Sequence, residues 1–338
     1  MLRHLYSNIY IIIVQKKEDD YMKKIISLLS LVLLVVLMVS CNNEENPEVP
    51  LELPKTTLSS EVSILTPTGT PYLAIGGLLV NDKIKIDVSE GPDMLQTSFP
   101  KGSYDIIIAP VNLGTMLYNK GNSAYQMSHV ITGNNAYVVT KAENKLDSMA
   151  DLANEEVLAF GKSASIGIPG SILKKAYQQN NLDESKIKYE YANSTEVYQA
   201  FVNNLTDAKY ALMSEPEISK LVLKDKINVK TLDLSQVLGA SFAQACVYVN
   251  PNSDNQEDIN KVLSLIDEMI KFLNANTSTY ADAVIPLDSK FEAMGKDVII
   301  RSVPLTNIVF KEAKTNKTDI ENTLNMLGVP LPNNAFYR

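Results

Sequence analysis

Val62-Ser63-Ile64-Leu65-Thr66-Pro67-Thr68-Gly69-Thr70-Pro71-Tyr72-Leu73 is the stretch whose reading decides the fold. Val62–Leu65 is a short apolar run of strand length. Thr66-Pro67-Thr68-Gly69 is a turn, because Pro fixes one backbone angle and Gly supplies conformations closed to other residues. Thr70-Pro71 then opens a helix, with Thr70 as N-cap and Pro71 at the first helical position. Tyr72, Leu73, Ile75, Leu78 and Leu79 fall on one face of that helix.

The strand–turn–helix unit recurs outward from this point. Ile84–Val88 reads as a strand and Asp93–Phe99 as a short helix. Tyr104–Ala109 is a buried strand, followed by helix Leu113–Tyr118 with Asn112 as its cap. Met127–Thr132 and Ala136–Thr140 are two more strands. A second set follows: short helix Ser148–Ala153, strand Glu156–Phe160, loop Gly161–Pro169, helix Gly170–Asn180, strand Ile187–Tyr191 and helix Ser194–Asn204 capped by Ser194. After strand Tyr210–Met213, Ser214-Glu215-Pro216-Glu217 has the form of a capping box. Strands Val229–Leu232 and Ala245–Val249 lead to Gln256–Asn274, where Ile259, Val262, Leu263, Ile266, Met269, Ile270 and Leu273 keep a 3.6-residue period. The remainder reads as helical pieces, including Asp319–Leu327. Alternating strands and helices predict α/β architecture with a largely parallel sheet.

The chain has 338 residues, of which 45% are hydrophobic and 21% charged, enough to bury a core in two lobes of ordinary size. With 31 Lys+Arg against 39 Asp+Glu and no basic cluster, it lacks the electrostatic footprint of a nucleic-acid binder. Met22-Lys23-Lys24 is a basic start, Ile25 to Val39 a run of apolar residues and serines, and Ser40-Cys41 a small residue before a cysteine. Those are the three parts of a secretory signal. The run is shorter than the roughly 20 residues that a spanning helix needs. Residues 1–21 read as an upstream extension from a mis-called start, with translation beginning at Met22; a genuinely long n-region is the alternative. Cleavage before Cys41 removes Arg3, Lys16, Lys17, Lys23 and Lys24 with Glu18, Asp19 and Asp20, which takes the net charge from −8 to −10. Residues 41–57, with Pro47, Pro50 and Pro54, read as a solvated tether.

Leu37-Met38-Val39-Ser40-Cys41 resembles a bacterial lipobox, which implies diacylation of the Cys41 thiol, palmitate being a typical chain, and an extracytoplasmic protein held to the membrane by lipid. The body resembles the type II periplasmic-binding-protein fold, in the nitrate/sulfonate/taurine/thiamine-precursor branch of ABC-importer solute receptors. The residues that carry this are Thr66-Pro67-Thr68-Gly69 after the first strand, Tyr104-Asp105-Ile106-Ile107-Ile108-Ala109-Pro110-Val111-Asn112-Leu113, Ala136-Tyr137-Val138-Val139-Thr140, Phe160-Gly161 and Ser214-Glu215-Pro216. The resemblance implies two lobes, each a mixed, mostly parallel sheet with helices on both faces. Lobe 1 would be 58–140 plus 245–338 and lobe 2 141–244, with crossovers near Val139–Lys141 and Gln244–Tyr248. It also implies a monomer that captures a small organic solute without a cofactor and delivers it to a permease.

In open α/β sheets ligands bind at the carboxyl ends of the strands, where helix N-termini present free amides. That rule selects Thr66, Thr68, Gly69 and Thr70; Pro110, Val111 and Asn112; Gly133, Asn134 and Asn135; Gly161, Ser163 and Ser165; and Glu215. Each also has a plain structural reading, as a helix cap, a turn former or first-turn helix chemistry. Tyr72, Tyr137, Phe160 and Phe242 lie near these loops and could stack on a ring, although core packing is the commoner fate. The loops contain Lys162 and Glu215 but no arginine, which favours a neutral or cationic solute over a carboxylate or sulfonate.

Two other classes compete. A pyrimidine-precursor synthase shares this fold, but the mature chain offers one histidine, His129, and one thiol without lipid, Cys246, in separate apolar strands. Catalysis by such a pair needs the base within hydrogen-bond reach of the nucleophile. No metal-ligand spacing, Walker loop or GxSxG elbow occurs. A structural surface lipoprotein would carry repeats or apolar patches, and the sequence has neither.

Overall fold

The computed structural model describes residues 52–161 and 167–338. The extension, the signal segment, Cys41 and the tether up to residue 51 lie outside the described residues, as do Lys162, Ser163 and Ser165.

The chain first lays down β1 (Val62–Pro67), α1 (Thr70–Ile75), β2 (Ile84–Ser89), α2 (Pro92–Lys101), β3 (Ile106–Pro110), α3 (Val111–Asn119) and β4 (Gln126–Gly133). It crosses to β5 (Tyr137–Lys141), β6 (Val157–Phe160), α4 (Ile168–Gln179), β7 (Ile187–Tyr191), α5 (Ser194–Val202), β8 (Tyr210–Met213), α6 (Glu217–Leu223), β9 (Val229–Asp233) and α7 (Leu234–Leu238). It returns through β10 (Ala243–Val249), α8 (Gln256–Ala275), α9 (Thr277–Val284), α10 (Ser289–Met294), α11 (Lys296–Ser302), β11 (Ile308–Glu312) and α12 (Lys317–Met326).

Two sheets result, a six-stranded one in the order β11-β4-β10-β3-β1-β2 and a five-stranded one in the order β7-β6-β8-β5-β9. In the first, β1 pairs parallel with β2 and β3, while β10 lies antiparallel between β3 and β4. In the second, β6 pairs parallel with β7 and β8, while β5 lies antiparallel between β8 and β9. The inserted antiparallel strand is in each case the first strand after a crossing. A chain that leaves one sheet at its carboxyl edge enters the other by that sheet's carboxyl edge, and so runs against its parallel neighbours. Each half is therefore a mixed, mostly parallel α/β lobe.

Alternation along the central strands explains why both faces of the first sheet are covered. Ile64, Ile106, Ile108, Val247 and Val249 point to one core, where Ile259, Val262, Ile266, Met269 and Leu273 of α8 meet Leu73, Ile75 and Phe291. Leu65, Ile107, Ala109, Cys246 and Tyr248 point to the other, with Phe99 of α2 and Leu324 of α12. Strands buried on both faces read as continuous apolar runs, which is how they stand out in the sequence.

The crossings fall earlier than the sequence predicts. Tyr137–Thr140 pairs with both β8 and β9, and Lys141 with β9, so the outward crossing is Asn134–Ala136 rather than Val139–Lys141. Ala243–Val249 is fully paired in the first sheet, so the return lies before it, at 239–242. Residues 53–57, read as tether, lie against the body: Leu53 and Leu58 are buried, and the Thr56 N–H donates to Asn81 Oδ1 at 3.2 Å. The amides of Ser59 and Ser60 donate to Asp258 Oδ2 at 2.9 and 2.8 Å. Ile308–Glu312, read among helical pieces, pairs as an edge strand with β4.

Helix starts also differ. Gly69, at φ +83°, caps α1 in place of Thr70. Pro110 precedes α3, with Asn112 inside its first turn. Asn193, not Ser194, caps α5 by accepting from the Glu196 N–H. α6 starts after Pro216, which has no polar side chain to cap it; the Ser214 hydroxyl bonds the Asn135 carbonyl instead, and Glu215, one residue before Pro216, accepts from the Ser219 N–H in the first turn.

His129 on β4 stacks on Phe310 of β11 with ring centroids 3.9 Å apart, and its buried Nδ1 has no hydrogen-bond partner among the described residues. Burial pushes its pKa from 6.5 down to about 4, against the opposing pull of Glu312 and Asp267. A folded-state pKa below the unfolded one means that the neutral ring stabilises the fold above about pH 6.5 and that this contribution is lost as pH falls toward about 4. Between neutral pH and about pH 4, the wild type should lose about 2 kcal/mol more stability than His129→Leu, allowing for partial solvent access. Denaturant titrations of both proteins across that range check it.

Candidate functional site

The loops selected by the strand-end rule all follow strands of the two sheets at their carboxyl edges. Register places β1 beside β3 through Leu65 and Ile107, and β10 carries the line on, with Ala245 opposite Pro110 on one side and Thr132 on the other. The segments after β1, β3 and β4 thus share one edge of the first lobe, from which the chain passes to the second.

Asn135 is the centre of that passage. It is 4% exposed. Its Nδ2 donates to Thr70 Oγ1 and to the Glu215 carbonyl, both at 3.0 Å, and its Oδ1 accepts from the Glu215 N–H at 2.7 Å. Its backbone N–H donates to Gln244 Oε1 at 3.1 Å, and its carbonyl accepts from Ser214 Oγ at 2.7 Å and from Gln244 Nε2 at 3.3 Å. Thr70 Oγ1 in turn donates to the Glu215 carbonyl at 3.1 Å. The structure therefore brings Thr70, Asn135 and Glu215, far apart in sequence, into one buried network that spans both lobes, the outward crossing and the start of β10.

The Glu215 carboxylate completes the network. Oε2 accepts from the Ser219 N–H at 3.0 Å, and Oε1 lies 3.4 Å from Arg301 Nη1, which also donates to Ser219 Oγ at 2.9 Å. Burial raises the pKa of Glu215, opposed by the Ser219 hydrogen bonds and by the Arg301 charge. Nearby Glu217 accepts from Thr195 Oγ1 at 3.0 Å and faces Lys220 at 3.5 Å. Sequence reasoning missed Arg301 because it lies 86 residues from Glu215 with no spacing that links them. Its rarity was the available signal, since Arg3, Arg301 and Arg338 are the chain's three arginines.

The other expected residues fall into two groups. Gly133 and Asn134 shape the crossing. A Cβ on Gly133 would stand 2.5 Å from the Phe242 carbonyl oxygen, so only glycine lets the two crossings touch. Asn134 takes φ +41° and accepts from the Phe242 N–H at 2.7 Å. The second group lines the strand ends. Thr66 is buried and its hydroxyl turns to the Pro67 carbonyl. The Thr68 N–H donates to the Ser89 carbonyl at 3.2 Å. A Cβ added to Gly69 would meet nothing within 4 Å, so open space lies over the start of α1. Gly161, at φ +120°, donates its N–H to the Tyr191 carbonyl at 2.8 Å. Pro110 and Val111 open α3, and Asn112 Oδ1 beside them is buried with no hydrogen-bond partner among the described residues. A buried acceptor without a donor costs about 1–3 kcal/mol, which a bound donor would relieve.

The aromatic candidates are committed to the protein. Tyr72 stacks on Phe291 at 4.7 Å and donates to Asp288 at 2.8 Å. Tyr137 donates to the Leu305 carbonyl across the lobes at 2.9 Å, and Phe160 and Phe242 are buried. His129 and Cys246 lie on opposite faces of the first sheet, since His129 is registered with Val247, the next residue along β10. Burial pushes the Cys246 thiol well above its ordinary pKa, which opposes thiolate formation. Among the described residues no cluster of His, Cys, Asp and Glu could hold a metal, and no helix is long and apolar enough to cross a membrane.

This strand order, with one strand exchanged between two lobes, is that of the type II periplasmic binding proteins, and the chain has their fold. No family model matches it and no curated protein does. Among solved structures it is similar to an ABC transporter protein from Parabacteroides distasonis, at 18% identity and TM-score 0.66 over 82% of this chain and 99% of that one. It is also similar to the periplasmic aliphatic sulphonate binding protein SsuA of Escherichia coli, at 14% identity and TM-score 0.60 over 80% and 89% of the two chains. The alkanesulfonate-binding protein of Xanthomonas axonopodis pv. citri bound to MOPS matches at 12% identity and TM-score 0.58 over 82% and 96%.

Asn135→Ala deletes three side-chain hydrogen bonds and leaves the buried Glu215 N–H without its acceptor. Its expected cost is about 2–4 kcal/mol, against within about 0.5 kcal/mol for Asn325→Ala on the exposed side of α12. Chemical denaturation of both variants checks this.

Proposed function

We propose that this protein is an extracytoplasmic solute receptor of an ABC importer, anchored by lipid on Cys41. It holds a small organic solute between its lobes and presents it to a permease. Asn112 carries this reading: a buried acceptor without a partner among the described residues, at the first turn of α3, on the edge where the chain passes between lobes. The open space over Gly69 at the neighbouring strand end supports it, and so does the fold shared with solute-binding components. The binding segments proposed are Thr66–Thr70, Pro110–Asn112 and Gly161 with Ser163 and Ser165. Gly133, Asn134, Asn135 and Glu215 act at the junction between lobes, where closure is set. Lobe closure about two adjacent crossings encloses a guest without remodelling either core.

The solute preferred by this site is neutral or cationic. Asn112 Oδ1 calls for a hydrogen-bond donor, and the one arginine found near the crossing, Arg301, is already engaged by Glu215 and Ser219. Sulfonates are the competing class, on the strength of the Escherichia coli and Xanthomonas proteins. A binding protein is favoured over an enzyme because the lone thiol and imidazole of the body point away from each other.

Mass spectrometry of solute released from the purified protein, followed by thermal-shift titration with neutral heterocycles, amines and alkanesulfonates, tests the reading. Asn112→Ala should weaken binding of the identified solute about tenfold while leaving the melting temperature of the empty protein within a few degrees. Tight binding of a simple alkanesulfonate would overturn the solute class, and no saturable ligand from any class would overturn the receptor. Cys41→Ser should abolish palmitate labelling and move the protein from the membrane fraction to the soluble fraction; labelling that persists would refute the anchor.

A further inference from the structure

The lobes meet in two different ways. On one side they touch directly: Arg301 of α11 bonds Ser219 of α6, Lys224 Nζ donates to the Ala293 carbonyl of α10, and Tyr137 of β5 donates to the Leu305 carbonyl. Between α4 of the second lobe and α12 of the first they face each other across a groove of about 200 Å³. Its floor is Leu238 at the end of α7 and the return crossing that follows it, to Phe242.

The floor is apolar and has no unmet polar demand. Phe242 is buried, and Leu238 and Met326 are half-buried beside it. Thr323 is 1% exposed, and its hydroxyl accepts from the Ala243 N–H at 3.0 Å and donates to the Asp319 carbonyl at 2.9 Å. The rim is polar and faces solvent, with Gln179 and Asn322 exposed and Lys175 half-buried. Lys175, Gln179 and Asn322 make no side-chain hydrogen bond or ion pair among the described residues. Lys175 is the one charged residue in the lining. The acid on α12 next to Asn322, Glu321, is turned to Lys317 at 3.5 Å and to Tyr337 at 3.3 Å.

We propose that this groove binds a small amphipathic monoanion, its alkyl part on Phe242, Leu238 and Met326 and its carboxylate on the Lys175 ammonium and the rim amides. The volume equals that of six or seven waters at roughly 30 Å³ each, which fits an alkyl carboxylate of about six carbons. Charge complementarity selects the anion, since the rim offers one cation and no acid. The site lies outside the strand-end loops proposed for the transported solute. An occupant would touch both lobes and the crossing between them, and so would bias their angle by any difference in its contacts between open and closed forms.

Hexanoate is the probe. Titrated into the purified full chain labelled with 13C-methyl methionine, it should shift the Met326 methyl resonance, assigned through Met326→Leu, with a dissociation constant on the order of 1 mM. Hexylamine, with the same chain and opposite charge, should bind at least about fivefold more weakly. Lys175→Gln should weaken hexanoate about fivefold and leave the melting temperature unchanged, because Lys175 makes no hydrogen bond or ion pair among the described residues. A Met326 methyl that does not move at saturating hexanoate would overturn the proposal. Equal affinity for hexanoate and hexylamine, or for wild type and Lys175→Gln, would overturn it too. None of these readouts depends on the identity of the transported solute.

Discussion

Two strands of chain cross between the lobes side by side, and the backbone polar groups in them must be satisfied away from water. Asn135 meets that requirement with both its side chain and its main chain, tying Thr70 at the start of α1, Ser214 and Glu215 at the end of β8, and Gln244 at the start of β10. A buried amide left unpaired costs as much as a lost hydrogen bond, so this cluster fixes the local geometry of the junction. Gly133 permits the contact, because any side chain there would collide with the neighbouring crossing.

From that junction the topology follows. Each crossing enters its new sheet at the carboxyl edge and inserts an antiparallel strand among parallel ones. The strand ends of both lobes are thereby gathered at the junction, together with the helix N-termini that follow them. Residues that a strand-end rule would assign to ligand contact divide accordingly. Those nearest the crossing, Asn135 and Glu215, are saturated by the protein, and those further along the edge, Asn112 and Gly69, are not. The same divide separates a lobe contact built from charges and hydroxyls, at Arg301 and Ser219, from a groove floored by Phe242 and rimmed by solvent-facing polar groups.

Apolar runs and their periods located nearly every element of the body, because a strand buried on both faces and an amphipathic helix leave unambiguous patterns. The edge strand Ile308–Glu312 escaped, since it is short and only its first residue is buried. Helix caps were misread at Thr70, Asn112, Ser194 and Ser214. A hydroxyl or amide at a helix start can cap its own helix or bond a distant partner, and the choice depends on what lies opposite in the fold.

The sequence by itself determined the α/β class, the order of the strands and helices up to α8, and the loops that follow each parallel strand, because all of these arise from local periodicity and turn chemistry. The tertiary structure alone decided which polar side chains in those loops stay free. That depends on partners such as Arg301 and Gln244, which reach Glu215 and Asn135 at 3.4 and 3.1 Å from 86 and 109 residues away, by tertiary packing that no local pattern encodes.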